Sequence, residues 1–397
     1  MAYYTYGYAP TTAYNSVKKV WDTLLHEQTQ AGLFFKDLIG KDKGGEGSLD
    51  DQMSNFPIVE KTQLGKDSGD RITMSLVRQL ATSTFYNEGV TGNTQLVDSE
   101  TAMSFYNTQV YVSHWRDATA ILGKQTLQRS PFQLKKVAKG LLANEIAKFL
   151  DEGLFFAFYS GYSPNVVREI GTSTLLEKLP LNNVYGKNRS AYSGLGTADV
   201  VDTELLEILS TVAIENNINP IKYEGSETHL FVIHPRGFKT LRADSLYQDA
   251  NIHALPSNKE NPMFSRAKGR WGGIYVTEHN SIATGANYGS LTVTSDAISV
   301  AAATAPTDIG NNTDVRMNLL IGANSIARAV ALPEYMETRK EDDYGNIIAF
   351  GGGLIYGDRR ADYQIDDGTG ATFANQSSIC VYSYSPAVAS NFTAIWS

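Results

Sequence analysis

The sequence predicts an α+β protein, and three stretches of it carry that prediction. Residues 130–161, SPFQLKKVAKGLLANEIAKFLDEGLFFAFYSG, read as one long helix. Residues 71–76 and 104–115 alternate apolar and polar side chains with the period of two that marks strands. From Asp202 to Glu278 a capped amphipathic helix, apolar strands and a short helix follow one another. Within the long helix, Ser130 is a good N-cap, Pro131 suits the first helical position and Gln133 completes a capping box. Leu134, Val137, Leu141, Ile146, Phe149 and Leu150 recur at three- and four-residue steps and predict one apolar face. Gly161 is the expected stop, with Pro164 just beyond it. Roughly thirty residues make a rod of about 45 Å, which suggests a spine on which other elements are laid.

The chain has 397 residues, 42% hydrophobic and 19% charged, enough for a sizeable core in two or three domains. Its net charge of −8 argues against a nucleic-acid binder, which needs a basic excess. A single cysteine, Cys380, excludes an internal disulfide framework and suits a reducing compartment. The opening MAYYTYGYAP has neither the basic nor the apolar region of a signal peptide. No apolar run approaches the length of about 18 residues needed to cross a membrane, so no membrane partner is expected. The composition reads as that of a soluble, intracellularly made, globular protein.

Taken in order, residues 1–13 are rich in Tyr, Ala and Thr without period and read as an extended, partner-dependent arm. A helix of about twenty residues opens at Ser16, with Val20, Leu24, Leu25 and Phe34 apolar, and the run GKDKGGEG at 40–47 ends it in a flexible turn. Ile72, Met74 and Leu76 share one face of the first strand, and Val110 and Val112 one face of the second. The connection between them is polar, glycine-bearing and acidic, so the two strands form an arm with little core of its own. An isolated ribbon is marginal in water, so this one should rest on another subunit; an ordinary hairpin with a long surface loop is the alternative. Residues 162–200 are irregular. Residues 202–214 form the capped helix, 229–234 a buried strand ending at Pro235, 236–242 a short helix and 273–278 a second strand. Residues 281–318, low in complexity, read as a surface insertion or small hairpin. Residues 319–332 are a buried element of either type, and 347–356 and 378–384 are closing strands.

A search for chemistry returns little. Gly123-Lys-Gln-Thr resembles the end of a phosphate loop, but Ala118 stands where the earlier glycine belongs and Gln125 where the magnesium-binding hydroxyl belongs. His26, His114, His229, His234, His253 and His279 show no metal spacing, and odd spacing sends His229 and His234 to opposite strand faces. Glu278 and His279 adjoin at a strand end without a nucleophile nearby. The acidic runs beginning at Asp342 and Asp366 lack the spacing of a calcium loop and read as turns. Cys380 reads as a buried small residue, and Gly351-Gly-Gly as a bulge or close backbone approach. No catalytic residue, metal or cofactor is expected.

Several segments in their order resemble one family. They are Phe105-Tyr to Trp115-Arg, Arg129-Ser-Pro-Phe-Gln-Leu, Leu150-Asp-Glu-Gly-Leu-Phe and His234-Pro. Asn261-Pro-Met-Phe, Gly269-Arg-Trp-Gly-Gly-Ile-Tyr-Val-Thr-Glu-His and Asp343-Tyr-Gly-Asn complete the set. Across residues 55–160 and 200–385 they are similar to tailed-phage major capsid proteins of the Hong Kong 97-type fold, in a podophage subfamily of enquatrovirus type. Residues 1–13 and 281–318 carry none of the resemblance.

The resemblance implies an N-terminal arm (1–47), an extended loop with peripheral-domain strands (48–128), and the peripheral-domain spine helix with its linker (129–200). An axial domain (201–332, insertion 281–318) and returning peripheral-domain strands (333–397) follow. It implies self-assembly through pentamers and hexamers into an icosahedral virion shell round double-stranded DNA, built in the host cytoplasm. The implied partners are other copies, a portal protein and an optional decoration protein. Because the chain starts almost at its arm, a separate scaffolding protein is expected. The DNA is enclosed without sequence-specific binding, which the acidic balance suits. Lys61 and Lys66 lie near the base of the extended loop and none near its tip, so Lys–Asn cross-linking is not expected.

The spine adds a candidate interface. Lys135, Lys136 and Lys139 near its N-terminus and Asp151 and Glu152 toward its C-terminus oppose the helix dipole. Carboxylates of a neighbour's extended loop, Glu88, Asp98 or Glu100, are the expected partners of the lysines; a solvated face is the alternative. Two other functions fit less of the sequence: a cellular nanocompartment shell of the same fold, and an αβ enzyme using Glu278 and His279.

Overall fold

The computed structural model describes residues 29, 32–41, 55–62, 64, 69–77, 105–121, 123–129, 134–170, 182–187, 189–223, 226–253, 269–285, 291–293, 298–300, 305–339, 344, 346–366, 371–375 and 377–387. In chain order its strands are β1 (Ile39–Lys41), β2 (Ile58–Lys61), β3 (Arg71–Val77), β4 (Phe105–Tyr111) and β5 (Ser113–Ile121). Helices α1 (Lys124–Arg129), α2 (Leu134–Ser160) and α3 (Pro164–Ile170) follow. Then come β6 (Asn183–Tyr185), α4 (Thr203–Glu215), β7 (Ile221–Tyr223), β8 (Ser226–Ile233), α5 (Pro235–Ala243) and α6 (Ser245–His253). The remainder is β9 (Gly269–Trp271), β10 (Ile274–Glu278), β11 (Leu291–Val293), β12 (Ile298–Val300), β13 (Val315–Ile321), β14 (Ile326–Arg339), β15 (Ile348–Arg360), β16 (Tyr363–Asp366), β17 (Ala371–Ala374) and β18 (Ser378–Tyr384).

Two sheets organise these elements. The first has five strands in the order β1-β2-β14-β15-β5, parallel from β1 to β14 and antiparallel beyond. Its long hairpin β14–β15 slips register between Val330 and Leu332 and again between Leu332 and Tyr335. Pro333, which has no amide hydrogen to give a ladder, sits in that irregular stretch. Gly353 on β15 shows why glycine was needed: a Cβ there would lie 2.6 Å from the Trp115 carbonyl oxygen on β5. Of the two readings of Gly351-Gly-Gly, a close backbone approach therefore holds at Gly353, while Gly351 has ordinary contacts.

The second sheet has seven strands, β6-β18-β13-β8-β10-β9 with β7 added to β8. Its central strands β8, β13 and β18 are buried on both faces and carry apolar residues on each. Leu230, Val232, Leu319 and Ile321 point to the spine. Phe231, Ile233, Leu320, Ile379 and Val381 point to α4 and α5, where Leu205, Leu209, Phe238 and Leu241 cover them. Asp202 caps α4 through the Leu205 amide at 3.0 Å, as its sequence predicts.

The spine α2 joins the sheets. Its first half buries Leu142, Ile146 and Leu150 against Met336, Leu354 and Tyr356 of the five-stranded sheet. Its second half buries Leu154, Phe155 and Phe158 against the seven-stranded sheet and Phe35. Its 27 residues span about 40 Å. Gly161 ends it with φ of 91° and an amide bonded to Ala157 at 2.9 Å, the left-handed stop expected there. The cap expected at 130–133 lies outside the described residues.

Several expectations need correction. Val137 and Leu141, assigned to the buried face, are 47% and 59% exposed. The inward row is Ala138-Leu142-Ile146-Leu150-Leu154-Phe158 at four-residue steps, and the adjacent pair Leu141-Leu142 hides which leucine belongs to it. Gly40 and Lys41, read as a flexible turn, lie in β1. The single strand read at 104–115 is two, β4 pairing with β3 and β5 with β15. Residues 319–332 contain the end of β13 and the start of β14. The amides of Gly322, Ala323, Asn324 and Ser325 between them are bonded to Ser377, Asn219, Phe56 and Pro57. The insertion expected at 281–318 ends inside the core, since Val315 and Met317 of β13 are buried. Likewise the 332/333 boundary falls inside β14, and β18 pairs with β13 rather than with the strands preceding it.

Candidate assembly surfaces

The chain reaches the spine early. Phe35 buries its ring 5.0 Å from Phe155, and the amides of Phe34 and Phe35 donate to Asp151 at 2.8 and 3.4 Å. Asp151 is thus buried in the chain's own interior, well before the last helical residue, Ser160. Dipole effects fade beyond the last turn, so the opposition expected at Asp151 does not arise. The end of α2 is closed instead by Arg360, whose Nη1 donates to the Phe158 carbonyl at 2.7 Å. Arg360 is itself held by Asp362, with Nε 2.9 Å from Oδ1, and Asp362 by Asn375 at 2.8 Å. Glu152 is exposed and lies 3.9 Å from Lys148 one turn earlier.

On the outward face of the spine, Val137 and Leu141 precede Glu145, Lys148 and Glu152, all exposed. Lys139 is half-buried, and burial lowers its ammonium below the usual lysine range. Lys135 and Lys136 lie in the first turn of α2, with side chains outside the described residues. Glu88, Asp98 and Glu100 lie outside the described residues altogether.

The β3–β4 ribbon rests first on its own chain. Ile72, Met74 and Val110 pack on Ala327 and Ala329 of β14. Arg359 donates to the Gln109 carbonyl at 2.8 Å while lying 4.7 Å from the Tyr162 ring. The connection at 78–104 lies outside the described residues. Beneath the ribbon, Arg328 and Asp358 form a bidentate pair at 2.7 and 3.0 Å, both fully enclosed. Burial pulls Arg328 down, but the charge and hydrogen bonds of Asp358 outweigh it and hold the guanidinium above its ordinary value. A second enclosed carboxylate, Asp199, gathers the amides of Lys187 and Gly196 and the Arg189 side chain, fixing the segment before α4. Sequence reasoning missed Asp358, Asp199 and Asp362; for the Arg328–Asp358 pair the visible signal was charge inside apolar strand sequence, as in SIARAVAL and LIYGDRR.

The groups weighed for catalysis have structural tasks. His279 accepts the Ser281 amide at 3.1 Å, and its ring lies 4.4 Å from Phe34 and 4.8 Å from Phe155. Glu278 lines an open cavity of about 390 Å³ beside Phe238, Lys239 and Arg242. His229 sits 3.3 Å from the Ile218 carbonyl, and His234 caps α5 by accepting the Arg236 amide at 3.1 Å. Burial pushes the Cys380 thiol up to about 12, which keeps it unreactive. Among the described residues no three His, Cys, Asp or Glu side chains converge as metal ligands.

A spine helix bridging two sheets, with a two-stranded ribbon packed on one of them, matches the Hong Kong 97-type capsid fold, and solved structures show it. The capsid of Ralstonia phage GP4 matches with a TM-score of 0.69, covering 90% of this chain and 93% of that one at 18% identity. The capsid of cyanophage Pam1 matches at 0.61, covering 88% and 92% at 19% identity. Among curated proteins, the major capsid protein of Pseudomonas phage KPP25 is 23% identical over 84% of this chain and 86% of its own length. The sequence model of the phage capsid protein family matches residues 11–387, so the chain belongs to that family. Its role is that of a phage major capsid protein, a virion component that self-associates into a shell round the genome. The nanocompartment alternative is not favoured.

Proposed function

We propose that the chain builds its shell from rings of five and six copies, as in podophage relatives of enquatrovirus type. In this reading the five-stranded sheet and spine are the peripheral domain and the seven-stranded sheet is the axial domain. The β3–β4 ribbon is the root of an extended loop reaching a neighbouring copy. The observation that carries the reading is the outward face of the spine, where the apolar Val137 and Leu141 remain exposed beside the charged Glu145, Lys148 and Glu152. Glu88, Asp98 or Glu100 of a neighbouring copy meets Lys135, Lys136 and Lys139 there, and Glu152 stays at the rim.

A separate scaffolding protein guides assembly in the host cytoplasm, a portal protein occupies one vertex, and a decoration protein is an optional addition. The subunit performs no catalysis in this role. Reversing charge at Lys135 and Lys139 tests the interface. The expected result is a lower yield of assembled particles and an altered salt dependence of assembly. Unchanged yield and unchanged salt dependence would refute the pairing.

A further inference from the structure

At the start of α5 the seven-stranded sheet turns polar side chains toward the helices. The alternation that sends Leu320 into the apolar layer places Asn318 and Arg316 on the same face of β13. Asn318 is satisfied: its Nδ2 donates to Ser383 Oγ at 2.8 Å and its Oδ1 accepts the His234 amide at 3.2 Å. Arg316 is not. It is 9% exposed, and its Nε has no hydrogen-bond acceptor. The Oγ of Ser385, a fully buried residue, also has no partner. It stands where α5 begins, 3.3 Å from the position a Cβ on Gly237 would take. Arg236, a third exposed, stands 3.7 Å from Asp314, two residues before Arg316. Two guanidinium groups against one carboxylate leave this corner of the sheet positive.

Buried donors without acceptors are rare in folded proteins, and each one calls for a missing partner. The register sets Arg316 opposite Ser383 and the Ser385 amide on the Asp314 carbonyl, so Arg316 and Ser385 share one face of the β13–β18 pair. We propose that this corner of the sheet binds an oxyanion, a carboxylate or phosphate group whose oxygens accept from Arg316 and Ser385. A guanidinium is a planar fork that matches such a group with two parallel bonds, which water cannot do. Two sources supply the chemistry: free phosphate, or an Asp or Glu of a neighbouring copy. With 42 acidic residues against 34 basic ones, neighbouring copies offer carboxylates in excess. The second source rests on the shell reading; the first does not.

The test is thermal unfolding of the unassembled chain with phosphate or acetate, at constant ionic strength against chloride, for wild type, Arg316→Met and Ser385→Ala. At ten times its dissociation constant a bound anion shifts the unfolding equilibrium about tenfold. A rise in wild type that both variants lose assigns the site to a free anion. No rise, together with Arg316→Met shells that dissociate at lower denaturant while the unassembled variant is as stable as wild type, assigns it to a neighbour's carboxylate. A merely structural arginine would instead weaken the unassembled chain. The proposal is overturned if no anion stabilises wild type and Arg316→Met shells equal wild-type shells. Should Arg316→Met fail to fold, Arg316→Lys, which keeps the charge and loses the fork, takes its place under the same criteria.

Discussion

Asp151 spends both carboxylate oxygens on the amides of Phe34 and Phe35, so it holds the incoming chain against the spine. Asp151→Ala is expected to cost about 1.5–3 kcal/mol in urea unfolding of the unassembled subunit, and Asp151→Asn less, because hydrogen bonds to a charged acceptor are the strong ones. The Arg328–Asp358 pair predicts a contrast between single and joint replacement. Asp358→Ala strands a buried guanidinium and should cost about 3–5 kcal/mol, whereas replacing both residues by Met and Leu should come close to wild type. His234 predicts a pH dependence. Burial first, then the charges of Arg316 and Arg236, lower its imidazole from 6.5 to about 4. The folded value lies below the unfolded one, so this stability is fully present above pH 6.5 and is lost as the pH falls toward 4. The loss is on the order of 2–3 kcal/mol. His234→Asn keeps an N-cap acceptor without the titration, so its unfolding midpoint should fall less across that window. The pairings themselves were not legible in sequence: Phe34 lies 117 residues from Asp151 and Asp358 lies 30 from Arg328, separations that leave no local periodic pattern.

The spine illustrates what local pattern does and does not convey. Its existence and its stop at Gly161 follow from composition and glycine alone, because both depend on neighbours along the chain. Its rotational phase does not, since Leu141 and Leu142 are adjacent and only the sheets decide which is buried. That assignment is checkable: Leu142→Ala should cost about 2–5 kcal/mol, while Leu141→Lys should change subunit stability by no more than about 0.5 kcal/mol. The strands show a similar limit. The alternation read from 104 to 115 fits one strand as well as two, and nothing in it reveals that β4 pairs in one sheet and β5 in another. Residues 319–332 were ambiguous because the end of β13 and the start of β14 are buried on both faces and lose the period of two. Helix α4, by contrast, carries its cap and its amphipathic face in one stretch and was readable from end to end.

The two sheets and the spine form a subunit whose family builds shells, and much of that architecture was visible in the order of its segments. The interface was less visible, because a surface for another copy is defined by what the single chain leaves exposed, not by a motif. The net charge of −8 suits a wall that encloses DNA by closure, where many basic groups would bind the packaged polymer non-specifically. The decisive measurement is electron microscopy of the purified protein, expressed alone and with any scaffolding gene found beside its own. Closed shells of one or a few discrete diameters, or flat sheets of hexamers, are the expected result. A stable monomer under both conditions, with no particles at high concentration, would contradict it.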